Sequence, residues 1–121
     1  MAKILIVEDE SVLQKALNDM LVESGYQTVQ AMDGDEGLAL ALKSAPDLIL
    51  LDLVLPKKHG LEVLKELKES EQTSSIPVIV LTNLEGSEDI MKALDLGAKA
   101  YLVKANYNVR DVLEKIQNIL Q

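Results

Sequence analysis

Asp47-Leu48-Ile49-Leu50-Leu51-Asp52 sets four consecutive aliphatic residues between two carboxylates. A short, unbroken apolar run suits a strand covered on both faces, because a strand with one wet face alternates instead. Four further short runs flank it, so that the set covers residues 3–7, 27–31, 48–51, 78–81 and 100–103. The first and fourth runs are almost as apolar as the third. The second, Gln27-Thr28-Val29-Gln30-Ala31, is the most polar and is expected at a sheet edge. Pro77 opens the fourth run, where a ladder donor can be missing.

Between the runs, apolar residues recur at helical spacing. Val12, Leu13, Ala16, Leu17, Met20 and Leu21 mark a first helix that Gly25 stops. Ile90, Met91 and Leu94 mark a fourth, closed by Gly97, and Val109, Val112, Leu113, Ile116 and Leu120 mark the last. Asp33-Gly34-Asp35 and Ser87 supply turn and cap chemistry before the second and fourth helices. Strict alternation of strand and helix predicts an α/β fold with a parallel sheet, right-handed crossovers and helices on both faces. There are no internal repeats, no low-complexity tract and no linker, which predicts one domain over residues 1–121.

Hydrophobic residues make up 48% of the chain and aromatics only 2%, all tyrosine, so the interior must be aliphatic. The formal net charge of −8 opposes contact with nucleic acid or anionic lipid, and no direct nucleic-acid partner is expected. Cysteine is absent, which excludes disulfides, thiolate metal sites and thiol catalysis. No run is long enough to cross a bilayer, and residues 1–7 enter a strand pattern without a charged-then-apolar leader. A soluble, cytoplasmic protein without membrane insertion is the expectation.

In open parallel sheets ligands bind beyond the carboxyl ends of the strands, where strand order reverses. The first run ends in Glu8-Asp9-Glu10, the third in Asp52, the fourth in Thr82 and the fifth in Lys104. Glu8, Asp9 and Asp52 bring three negative charges together, and Lys104 returns one positive charge. Carboxylates crowded this way repel, and a divalent ion would bring the set to neutrality. Donors that are all oxygen favour a hard ion, Mg²⁺ being the natural candidate because it keeps waters and shares phosphate oxygens. Asp52 can then act as nucleophile toward a phosphoryl group, with Lys104 and Thr82 contacting its oxygens. Each residue also has a plainer reading. The acidic triplet suits the positive end of a helix, Thr82 can cap one, and Lys104 can be a solvated lysine. His59, in the loop Pro56-Lys57-Lys58-His59-Gly60, is expected at the surface.

The ordered set Ile4-Leu5-Ile6-Val7-Glu8-Asp9, Asp47-to-Asp52 leading to Pro56 and Gly60, Pro77-Val78-Ile79-Val80-Leu81-Thr82 and Gly97-Ala98-Lys99-Ala100-Tyr101-Leu102-Val103-Lys104 resembles the receiver domain of two-component response regulators along essentially the whole chain. The resemblance implies a flavodoxin-like, doubly wound five-stranded sheet in the order 2-1-3-4-5 with five helices. It implies a phosphorylation-dependent switch in which Asp52 takes a phosphoryl group from a sensor histidine kinase or another phosphohistidine protein. Asp9 would ligate Mg²⁺ directly, Glu8 through water, and the carbonyl of Val54 would complete the protein's share. Thr82 and Lys104 would contact the phosphoryl group, and Tyr101 matches the family's switch aromatic. The signal would leave through the face of the fourth helix, fifth strand and fifth helix to a downstream protein. The switch would work as a monomer or as a phosphorylation-promoted dimer, catalysing only its own phosphorylation and dephosphorylation. Three positions depart from the family pattern. Ala105 follows Lys104 where proline is usual, Asn83 follows Thr82 where a smaller residue is usual, and Glu8 replaces the commoner aspartate. Val54 and Leu84, two positions after Asp52 and Thr82, are expected to make the water approach apolar and the phosphorylated state long-lived.

An FMN-binding flavodoxin would need a Ser/Thr/Gly-rich loop where this chain has Glu8-Asp9-Glu10, which repels phosphate. A haloacid-dehalogenase phosphatase would need a second acid at position 54, which is valine. Dinucleotide and nucleoside triphosphate sites fail for want of a glycine-rich loop after the first run. The remaining alternative is a receiver-like module that binds partners without phosphorylation; such modules usually lack one of the acids, the Thr or the Lys.

Overall fold

The computed structural model describes residues 2–82, 88–103 and 108–121. Five strands, β1 (Lys3–Val7), β2 (Gln27–Ala31), β3 (Leu48–Asp52), β4 (Val78–Thr82) and β5 (Ala100–Val103), alternate with five helices. The helices are α1 (Ser11–Glu23), α2 (Gly34–Ser44), α3 (Gly60–Glu69), α4 (Glu88–Asp95) and α5 (Val109–Leu120). All strand pairs are parallel, and the order is β2-β1-β3-β4-β5. The polar second run is an edge strand, as expected. β3 and β4 each run one residue further than hydropathy indicated and take in Asp52 and Thr82. Their ladders continue to Asp52 opposite Leu81 and to Thr82 opposite Val103.

Alternation along the strands sorts the aliphatic side chains into two layers. Leu5, Val7, Ile49, Leu51, Val78 and Val80 pack with Val63, Leu64, Leu67 and Ala93, that is, under α3 and α4. Ile4, Ile6, Leu48, Leu50, Ile79 and Leu81 pack with Leu17 and Leu21 of α1 and Val112 and Ile116 of α5. Every residue of β3 and β4 is buried, as strands covered on both faces must be. Fully burying one such side chain is worth roughly 1.5–3 kcal/mol.

Helix ends follow local chemistry. Asp33 caps α2 by accepting from Glu36 N at 2.8 Å. Asn108 and Asp111 form a reciprocal capping box on α5. Gly25 and Gly97, with φ of 94° and 109°, lie just past α1 and α4 in the left-handed region that glycine enters freely. Lys68 lies along α3 and donates to Ser74 O at 3.1 Å and Ile76 O at 2.9 Å, tying down the α3–β4 connection. Burial, with repulsion from Lys99, holds its ammonium below the usual lysine pKa. Ser87, Asn83, Leu84 and Ala105 lie outside the described residues.

Candidate functional site

The register of the central strands builds the site. Val7 stands opposite Leu51, so Glu8 and Asp9 leave β1 beside the end of β3, where Asp52 sits. Glu8 N donates to Ala31 O at 3.0 Å, extending the β1–β2 ladder by one residue before the chain turns into α1. Oxygen atoms of Glu8, Asp9 and Asp52 lie within 4.8 Å of one another. Glu8 is 0% and Asp52 2% exposed, whereas Asp9 is exposed and opens the cluster to solvent.

These carboxylates fit a hard divalent ion. At a Mg²⁺–oxygen bond length of about 2.1 Å, ligand oxygens of an octahedron stand about 3 Å apart when adjacent and about 4.2 Å when opposite, so shifts of up to about 2 Å, or a water in place of one direct bond, seat the ion. Carboxylates this close repel one another, which gives a cation a specific task. The helix-dipole reading of the triplet survives only for Glu10, which is the N-cap residue of α1 but makes no side-chain cap bond. Glu8 Oε2 instead accepts from Glu10 N at 3.0 Å. Asp52 Oδ1 accepts from Val54 N at 3.1 Å, which folds the start of the β3–α3 loop back onto the Asp52 carboxylate. The Val54 side chain is 53% exposed at the rim.

Thr82 is fully buried at the end of β4, one residue beyond the Leu81 that pairs with Asp52. Tyr101 lies opposite Val80 and is 42% exposed. Thr82 is two residues from Val80 and so lies on the same sheet face as the tyrosine's register partner. Lys104 lies outside the described residues; the chain reaches it directly after Val103, the register partner of Thr82.

Two contributors escaped sequence reading. Gln14 is 4% exposed, and its amide Nε2 donates to Ala31 O at 3.0 Å and Glu8 O at 3.1 Å, with Ile6 O at 3.4 Å. His59 is exposed, as expected, but it also caps α3: its Nδ1 accepts from Leu61 N at 3.2 Å.

Comparison with known proteins agrees with this geometry. The family model of the response regulator receiver domain matches residues 4–117. The chain is 41% identical over 121 residues to the transcriptional regulatory protein CpxR of Klebsiella pneumoniae, and 39% identical over 121 residues to the DNA-binding dual master transcriptional regulator RpaA of Synechocystis. In both cases the match covers 100% of this chain and 50% of the relative, so the chain spans about half the length of these curated relatives. The crystal structure of a CheY-like receiver domain protein from Methanospirillum hungatei superposes with a TM-score of 0.92 at 32% identity, covering 99% of this chain and 94% of that one. The strand order, the acidic cluster at the strand ends and these similarities lead to one conclusion: the chain belongs to the response regulator receiver domain family.

Proposed function

We propose that this chain is a phosphorylation-dependent switch of two-component signalling, with Asp52 as the phosphoacceptor. The observation that carries the reading is the convergence of Glu8, Asp9 and Asp52 at the carboxyl edge of the sheet, two of them buried. Glu8, Asp9, Asp52 and the carbonyl of Val54 would hold Mg²⁺, which when bound offsets their charge and draws phosphoryl oxygens. An Asp52 carboxylate oxygen forms the new bond to phosphorus while the phosphorus–nitrogen bond of a phosphohistidine donor breaks, and the imidazole nitrogen keeps the electron pair. Thr82 and Lys104 receive the phosphoryl oxygens. The domain acts on no other substrate, its donor is a histidine kinase or phosphotransfer protein, and its setting is the cytoplasm. No helix among the described residues is long and apolar enough to cross a membrane.

Output through α4, β5 and α5 is part of the same proposal. Met91 and Leu94 of α4 are 67% and 42% exposed, and Tyr101 of β5 is 42% exposed. A groove lined by Leu94, Tyr101, Asp111 and Glu114 runs between these elements. The net charge of −8 favours a protein as the direct target rather than nucleic acid.

Intact mass after incubation with acetyl phosphate and Mg²⁺ tests the assignment. The wild type should gain one alkali-labile phosphoryl group, and Asp52→Asn, or wild type with chelator, none. A stable phosphate recovered on Thr82 would contradict the choice of nucleophile, and a wild type that takes up no phosphate would favour the phosphorylation-independent module.

A further inference from the structure

Gln14 occupies the buried stripe of α1 together with Leu17 and Leu21. Helical side chains lean toward the helix N-terminus, and that lean carries the amide back to the point where β1 leaves the sheet. Two N–H bonds cannot fully serve the four acceptors in reach, Ala31 O, Glu8 O, Ile6 O and Met32 Sδ, so the short contacts to Ala31 O and Glu8 O dominate. The flipped amide would set Oε1 against carbonyl oxygens, which excludes that orientation. Ala31 O accepts from Glu8 N as well. Glu8 is therefore held at both main-chain polar groups, its N–H by Ala31 and its C=O by Gln14. That C=O lies in the peptide plane joining Glu8 to Asp9, so fixing it sets the directions in which both side chains leave the backbone. Gln14 Oε1 is buried with no partner among the described residues. A half-satisfied buried amide is a poor core residue compared with an apolar one of the same shape, so stability alone does not explain it.

We propose that Gln14 is a positioning residue for the cation pocket: its amide sets the Glu8–Asp9 peptide plane and thereby the spacing of the two carboxylates that hold the metal. This inference rests on the metal-pocket reading above. Gln14→Met keeps the length and removes the donor. Mg²⁺ titration by calorimetry should show its Kd raised about tenfold, the low end for losing a group that orients a metal ligand. The urea midpoint without Mg²⁺ should change little, because the Glu8 C=O loses its donor while the unpartnered Oε1 is removed as well. Val12→Ala, on the exposed face of the same helix, should leave both quantities alone. An unchanged Kd with a lowered midpoint would reduce Gln14 to a core residue and overturn the proposal while leaving the pocket intact. A wild type that binds no Mg²⁺ would instead defeat the pocket reading, and this inference with it. Should Gln14→Met not fold, NMR of the wild type decides. The Gln14 side-chain amide protons should exchange slowly and shift with Mg²⁺ along the same isotherm as the Glu8 and Asp9 amides. Fast exchange, or no shift, would overturn the proposal.

Discussion

Asp9 sets an exposed carboxylate against two buried ones, and it is the acid that can lose its charge without leaving a buried hole. Two unit charges about 5 Å apart repel by roughly 3 kcal/mol at an effective dielectric near 20, and solvent at an exposed group reduces this further. Asp9→Asn should therefore raise the stability of the metal-free protein by on the order of 1 kcal/mol, a few degrees in Tm for a chain of this size. The same substitution removes a proposed ligand, so the variant should lose most of its response to Mg²⁺. The wild type should respond strongly, because a ligand at a hundredfold excess over Kd adds about 2.7 kcal/mol. Thermal melts with and without Mg²⁺ on both proteins check the pair of effects. A wild-type Tm indifferent to Mg²⁺ would sink the shared-pocket model.

Elements meet most tightly where α3 begins. Gly60 N donates to Leu53 O at 2.8 Å, and a Cβ at Gly60 would stand 2.5 Å from both Asp52 O and Leu53 Cα. Backbone cannot swing aside as a flexible side chain can. Gly60→Ala should therefore push α3 off β3, costing about 2 kcal/mol from overpacking even after the helix propensity gained. It should also weaken Mg²⁺ binding. Gly25→Ala is the contrast: φ is 94° with nothing within 4 Å of the added carbon, so only conformational strain of about 1 kcal/mol is expected, with Mg²⁺ affinity intact. Urea unfolding and Mg²⁺ titration of both variants test this, and equal, mild effects would show that α3 is not keyed to the acceptor. The parallel sheet and the gathering of Glu8, Asp9 and Asp52 at one edge followed from alternation, because parallel strands end on the same side; the strand order followed from the family resemblance. The ends of β3 and β4 were one residue short, since ladders follow main-chain bonds and not hydropathy. In α1, apolar Val12 is 84% exposed while polar Gln14 is buried. The carbonyls that satisfy Gln14 come from two strands, and nothing within the helix announces them. His59 was missed as a cap because imidazole is not among the usual capping groups.

Across the molecule, the acidic cluster and the α4–β5–α5 face are joined by one sheet face. Val78 and Val80 point into the layer beneath α4, and alternation sends Thr82 the same way. Tyr101 stands opposite Val80 and is part-exposed. Under the proposed function, a phosphoryl group at Asp52 would bring acceptor oxygens that draw the Thr82 hydroxyl toward the pocket, and the space it leaves would take the tyrosine ring. The shift is limited by the difference in contact energy between the two arrangements; moving from 1:99 to 99:1 needs roughly 5.5 kcal/mol of preference. A single hydrogen bond to a charged group, at about 1.5–3 kcal/mol, cannot supply all of it, so a partial shift is expected. Thr82→Val keeps the volume and removes the hydroxyl. On adding beryllofluoride with Mg²⁺, the wild type should show NMR shifts at Glu8, Asp9 and Asp52 and also at Tyr101 and residues 90–96. Thr82→Val should keep the first group and lose most of the second. Distal shifts of equal size in both proteins would mean that the pocket reaches α4 by a route that does not involve the threonine, and wild-type shifts confined to the pocket would mean that it does not reach α4 at all.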